Sequence, residues 1–149
     1  MSRPGLALLF ALAAAAAGCH ATRGPVSAAG PGAGGTAAVS PRAVLDAYLR
    51  ATFSRHHAQA WTYLTAADQR RVPRDAYVRA QRDLDRLRAQ VDALGRPRRS
   101  LGAVTVEDDR ARATVTITTG LGRDRLEFVL RRARGVWRVD YAASWRSLD

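Results

Sequence analysis

At 149 residues and 16.1 kDa the chain has room for one domain of ordinary size and not for two. Its 47% hydrophobic content overstates the apolar mass, because 30 of those residues are alanine. The formal charge is +11, and all 24 basic residues are arginine, with no lysine at all. Proteins that grip phosphate backbones usually mix the two cations, lysine as a mobile point charge and arginine as a fork. Arginine and alanine rising together at lysine's expense point to GC-rich coding, which weakens a nucleic-acid reading. A single cysteine excludes a disulfide framework.

Residues 1–18 read as an export signal. Arg3 and the amino terminus give a positive start, and Gly5 to Ala17 is an apolar run of 13 residues. That is short of the ~20 residues a transmembrane helix needs and matches a signal-peptide core. The run ends Ala16-Ala17-Gly18-Cys19, and Cys19 is the only cysteine. This segment resembles a bacterial lipoprotein signal, in which small residues precede the cysteine that becomes the lipidated first residue. Gly18 and Cys19 fit that pattern, whereas Ala16 stands where leucine is usual. The resemblance implies lipid attachment at Cys19 and a place in the bacterial cell envelope, facing the periplasm or the exterior. His20 is not the aspartate that retains some lipoproteins at an inner membrane.

Residues 19–39 are rich in Gly, Pro and Ala with almost no large apolar side chain, so the expectation is a flexible tether. The remainder, 40–149, is the expected domain. Ser40-Pro41 is an N-cap followed by proline at the first helical position. Val44, Leu45, Tyr48, Leu49, Thr52 and Phe53 then recur at helical spacing, predicting a helix to about Arg55. A short helix is expected near Ala58–Leu64 with Trp61 and Leu64 on one face, then one or two turns opening at Thr65. A longer helix opens at Pro73, with the stripe Tyr77, Ala80, Leu84, Leu87, Val91 and Leu94, and ends at Gly95 and Pro97. Its other faces pair Asp75 with Arg79, Arg79 with Asp83 and Arg88 with Asp92.

After Pro97 the period becomes two. Val104/Val106, Ala113/Val115/Ile117, Leu126/Phe128/Leu130 and Trp137/Val139/Tyr141 each form an apolar face. Turns fall at Glu107-Asp-Asp109, Gly120-Leu-Gly122 and Ala133-Arg-Gly135. Strands joined this closely must be antiparallel neighbours, with one face covered by the helices. The fold class is therefore α+β: two or three N-terminal helices on a four-stranded meander.

The helices starting at a proline, the stretch Ala60-Trp-Thr-Tyr-Leu-Thr-Ala-Ala-Asp-Gln69 and a meander ending Gly135-Val-Trp-Arg-Val-Asp-Tyr141 together resemble a nuclear-transport-factor-2-like (SnoaL-like) domain over residues 41–146. The resemblance implies a curved sheet wrapped as a cone around the helices, with a cavity between. That superfamily hosts isomerases, dehydratases, binding modules and scaffolds, so it does not by itself assign an activity.

The resemblance implies that enzymes of this shape place an aspartate, histidine or tyrosine inside the cone; the inward strand positions supply no carboxylate or imidazole, and Tyr141 is the one inward strand residue able to titrate. Asp140 has the opposite parity and shares a face with Arg138, predicting a surface ion pair. His56 and His57 are adjacent, so on a helix they point ~100° apart and cannot serve one ligand together. No metal set, nucleophile elbow or phosphate loop is present, and Glu107-Asp-Asp109 is too sparse for calcium. The expectation is a non-enzymatic module without cofactor, monomeric or homodimeric. It binds an envelope protein or a small apolar ligand in a cavity lined by Tyr48, Trp61, Tyr77, Phe128, Trp137 and Tyr141. Two alternatives stand beside it: a cone-fold isomerase or hydratase, and a basic surface module on anionic envelope polymers. The second draws on dense runs such as Arg96/Arg98/Arg99 and Arg131/Arg132/Arg134.

Overall fold

A computed structural model describes residues 39–92 and 97–148. Cys19, the tether as far as residue 38, and Leu94, Gly95 and Arg96 lie outside the described residues, as does the side chain of Val91. The chain is α+β: four helices, α1 (Pro41–Phe53), α2 (His57–Thr62), α3 (Ala66–Arg71) and α4 (Arg74–Asp92), followed by β1 (Arg98–Glu107), β2 (Arg110–Thr119), β3 (Gly122–Ala133), β4 (Val136–Val139) and β5 (Arg146–Ser147).

The helix starts follow local chemistry. The Ser40 side chain accepts from the N–H of Ala43, with Pro41 behind it, and the Thr65 hydroxyl accepts from the N–H of Asp68. Val44, Leu45, Tyr48, Leu49 and Thr52 of α1 are buried as their spacing requires. Helix α1 stops two residues short of Arg55, because Arg55 takes φ 61° and turns the chain into α2.

The sheet runs β1-β2-β3-β4, antiparallel throughout. The hairpin between β3 and β4 turns on Arg134 and Gly135, both with positive φ (51° and 79°), which is the demand of a tight primed turn and suits glycine. A fifth strand, absent from the sequence-based expectation, pairs Leu126 and Glu127 of β3 with Ser147 and Arg146. Strand β3 is long enough for β4 and β5 to share one of its edges. Ala111, Ala113, Val115, Ile117, Leu126, Phe128 and Leu130 form the inner face, and each is buried.

Strand β1 begins earlier than its valines suggest. A bulge between Leu101 and Val104 keeps both on the inner face, opposite Val115 and Ala113. Arg42 of α1 donates to the carbonyls of Gly102 (2.8 Å) and Leu101 (3.2 Å) there, tying helix to sheet edge. A Cβ at Gly102 would sit 3.1 Å from the Thr114 carbonyl oxygen, so this close approach favours glycine. Val106 has the expected parity but is half exposed, because the helices do not reach that end of the edge strand.

The free edge of β4 is closed by backbone. Thr65 N–H donates to Val139 O (3.0 Å) and Val139 N–H to Tyr63 O (2.8 Å), so the link between α2 and α3 extends the sheet. Asp68 completes the seam. Its carboxylate accepts from the N–H of Tyr141 (2.8 Å), the Thr65 hydroxyl (2.7 Å) and Arg71 (2.7 Å).

The long helix corrects the expected stripe. Leu87 is 49% exposed and Leu84 only half-buried, while Gln81 is 4% exposed. The side of α4 that meets the rest of the domain is Tyr77, Gln81, Asp85 and Arg88. Polar side chains occupy it because partners on other elements receive them.

Candidate functional site

His57 opens α2 directly after the reversal at Arg55, where the His56 N–H donates to Ala51 O (2.8 Å). That turn sends His56 to solvent and buries His57 to 3% exposure. Across the helix layer, Nε2 of His57 lies 2.6 Å from Oδ2 of Asp85 on α4, whose side chain is 14% exposed. The other carboxylate oxygen of Asp85 is 3.4 Å from Arg88, itself 16% exposed, and Arg55 approaches Oδ2 at 3.9 Å. His57 Nδ1 is buried with no hydrogen-bond partner. The result is an imidazole oriented by a carboxylate that is braced in turn by arginine.

Three tyrosines stand behind this pair. Tyr77 and Tyr141 pack edge to face with ring centroids 5.6 Å apart, and Gln81 donates to the Tyr141 hydroxyl at 3.3 Å. The hydroxyls of Tyr48 and Tyr77 are buried beside each other without a well-formed hydrogen bond. Burial pushes all three phenols above their ordinary range; for Tyr77 and Tyr141 the neighbouring Tyr48 adds to the rise, and the Arg88 charge opposes it throughout. Burial likewise lowers the Arg88 guanidinium, with Asp85 the main opposing influence.

In front of His57 is a hollow of about 430 Å³, lined by Arg55, His56, His57, Ala58, Gln59, Val78 and Arg82. Its volume falls in the range of small-molecule sites. Ala58 and Val78 supply apolar wall; Arg55 and Arg82 supply fixed positive charge. The lining holds no carboxylate.

The six residues expected to line a cavity have other neighbours, and none of them borders this hollow. Tyr48, Tyr77, Phe128, Trp137 and Tyr141 are buried in the core. Phe128 meets Trp145 at 4.7 Å and Tyr48 at 6.3 Å, and Arg132 stacks on Trp137 at 5.3 Å. Trp61 is half-buried in the helix layer and donates to Val72 O at 2.9 Å.

Two sequence readings are corrected. The interior does hold an imidazole and a carboxylate, His57 and Asp85, because the helices contribute them where the strand parity could not. Asp140 is 9% exposed and is held by Arg131 (2.6 Å) and the N–H of Ala143 (3.0 Å), not by Arg138. A signal for the site existed in the sequence. His57 shares helical spacing with the buried Ala60 and Leu64, and Tyr77, Gln81, Asp85 and Arg88 recur at intervals 4, 4 and 3.

No protein-family model matches the chain, and no curated protein is significantly similar to it. Among the described residues, no three or more His, Cys, Asp or Glu cluster closely enough to hold a metal ion. No helix among them is long and apolar enough to cross a membrane.

Proposed function

We propose that this chain is a lipid-anchored protein of the bacterial cell envelope whose domain, a nuclear-transport-factor-2-like cone, is a binding module for a small ligand with an apolar body and an anionic group. The hollow beside His57 carries this reading. It is of ligand size, its wall is apolar at Ala58 and Val78, and its fixed charges are the cations Arg55 and Arg82. The Arg82 guanidinium can meet a carboxylate or phosphate head with forked hydrogen bonds, and Arg55, which also approaches Asp85 at 3.9 Å, adds positive charge to the same wall. The cone reading draws support from helices covering one face of an antiparallel meander and from the closure of the β4 edge by the α2–α3 link.

Calorimetric titration of the purified chain with octanoate and with octanol tests the site. Octanoate should bind about tenfold more tightly, the worth of one charge-assisted contact at ~1.4 kcal/mol. Arg82→Gln should remove most of the difference. Equal affinity for the acid and the alcohol would refute an anion-selective site. The anchor is tested separately: the mature amino terminus should be a diacylglyceryl-modified Cys19, and Cys19→Ser should release the protein from membranes.

One observation favours a second reading, an isomerase or hydratase. An imidazole held by a largely buried carboxylate at the edge of a hollow is the pairing of a general base, and its buried Nδ1 would have to be uncovered for a substrate to reach it. Turnover of hydrophobic carbonyl compounds that disappears in both His57→Gln and Asp85→Asn would establish it over simple binding.

A further inference from the structure

The face of the sheet turned away from the helices carries a row of arginines. The register sets Arg110 opposite Arg131 and Arg131 opposite Arg138, so three lie side by side across β2, β3 and β4. Like charges directly opposed destabilise a sheet. Carboxylates on the same face offset only part of this charge. Asp140 is taken up by Arg131 at 2.6 Å, Glu127 is approached by Arg112 at 3.6 Å, and Glu107 stands at the hairpin end opposite Arg110. The Nε of Arg110 is buried with no hydrogen-bond partner. At the other end of the face, Arg98 and Arg123 flank Thr118, and Arg125 lies opposite Thr116. The ground between the two arginine groups is Thr114, Thr116 and Thr118, whose hydroxyl side chains are shorter than the arginines around them.

We infer that this face docks on the phosphate headgroups of an anionic membrane surface. The inference rests on the lipid anchor proposed above for the nearness of that surface. Attraction to a charged surface fades within a Debye length of ~8 Å, so it acts only on a domain already held near that surface. The anchor therefore supplies proximity, and the arginine face supplies orientation. Guanidinium forks and threonine hydroxyls are donors suited to phosphate oxygens, and basic residues near an anionic leaflet add attraction one by one. Docked this way, the sheet lies on the lipid. The hollow beside His57, on the helix side, opens away from it.

The test uses the full chain carrying Cys19→Ser, so that no acyl chain contributes, and phosphatidylcholine vesicles with and without phosphatidylglycerol. Co-sedimentation should be stronger with phosphatidylglycerol and should fall as salt is raised. Combined Arg98→Gln, Arg110→Gln and Arg138→Gln should weaken that preference by about tenfold or more. The same three positions changed to lysine should keep most of it, which guards against a folding defect. Arg70→Gln, Arg74→Gln and Arg79→Gln together remove equal charge from exposed helical positions and should leave it nearly intact. Equal losses in the two glutamine sets would overturn the assignment to the sheet face. Binding to soluble polyphosphate but not to the anionic vesicles would overturn the membrane and give the face to a polymer. Failure of wild-type Cys19 to carry lipid, with vesicle binding by the arginines intact, would remove the anchor and leave the surface standing.

Discussion

His57 and Asp85 are 28 residues apart in the chain, yet Nε2 of one lies 2.6 Å from Oδ2 of the other. Both belong to the buried side of the helix layer, where a charged hydrogen bond is stronger than in water and an unmade one is costly. The pair joins α2 to α4 and places the imidazole at the edge of the hollow.

Removing the acceptor should therefore destabilise the domain. Asp85→Ala leaves Nε2 of a 3% exposed histidine without its partner, a cost of about 1–3 kcal/mol. Asp85→Asn keeps a carbonyl oxygen for the same proton and should cost less. Urea unfolding followed by far-UV circular dichroism measures both; equal, negligible effects would mean the contact carries no stability.

Asp68 should matter more than its exposed partner. Its carboxylate is the acceptor for the N–H of Tyr141 at the seam between α3 and the sheet, so Asp68→Ala should cost about 1–3 kcal/mol. Arg71 is 47% exposed, and Arg71→Ala should stay within about 1 kcal/mol. A reversed order in chemical denaturation would refute this account of the seam.

Strand parity makes a sharp contrast between neighbours. Trp137 is 5% exposed and packs on the inner face, so Trp137→Ala should cost about 3–5 kcal/mol. Arg138 points to the outer face, and Arg138→Gln should fall within about 0.5 kcal/mol of wild type. Thermal midpoints of the two variants test it.

The buried phenols predict a particular alkaline transition. Tyr48, Tyr77 and Tyr141 keep their protons in the fold after unfolded tyrosines have lost theirs, because burial raises all three. The unfolded chain then binds fewer protons than the folded one. The contribution of these tyrosines to stability should be level below about pH 10 and fall above it, by up to ~1.4 kcal/mol per pH unit for each tyrosine. Tyr77→Phe should remove one such share from the slope, and at neutral pH should be nearly neutral, since the hydroxyl it deletes has no well-formed partner. An unchanged slope in pH-dependent urea denaturation would count against the assignment.

The sequence by itself determined the helices, the four-stranded meander, their order and the inner face of the sheet, but not the short strand β5. The Ser40-Pro41 and Thr65 helix starts, the Gly135 turn and the alternation from Ala111 to Val139 are local, because backbone capping, positive φ and a period of two depend on residues only a few places apart. Only the tertiary structure decided which polar side chains go inside. The stripe through Ala80, Leu84 and Leu87 and the side carrying Gln81, Asp85 and Arg88 are neighbouring faces of one helix, and periodicity alone favours the leucines. The helix turns the other way because Tyr141 receives Gln81 and His57 receives Asp85. The same logic gives Asp140 to Arg131 on the adjoining strand rather than to Arg138 two residues away. A buried polar group is tolerable only when a partner meets it, and these partners come from elements 9 to 60 residues away along the chain, brought within reach only by the fold.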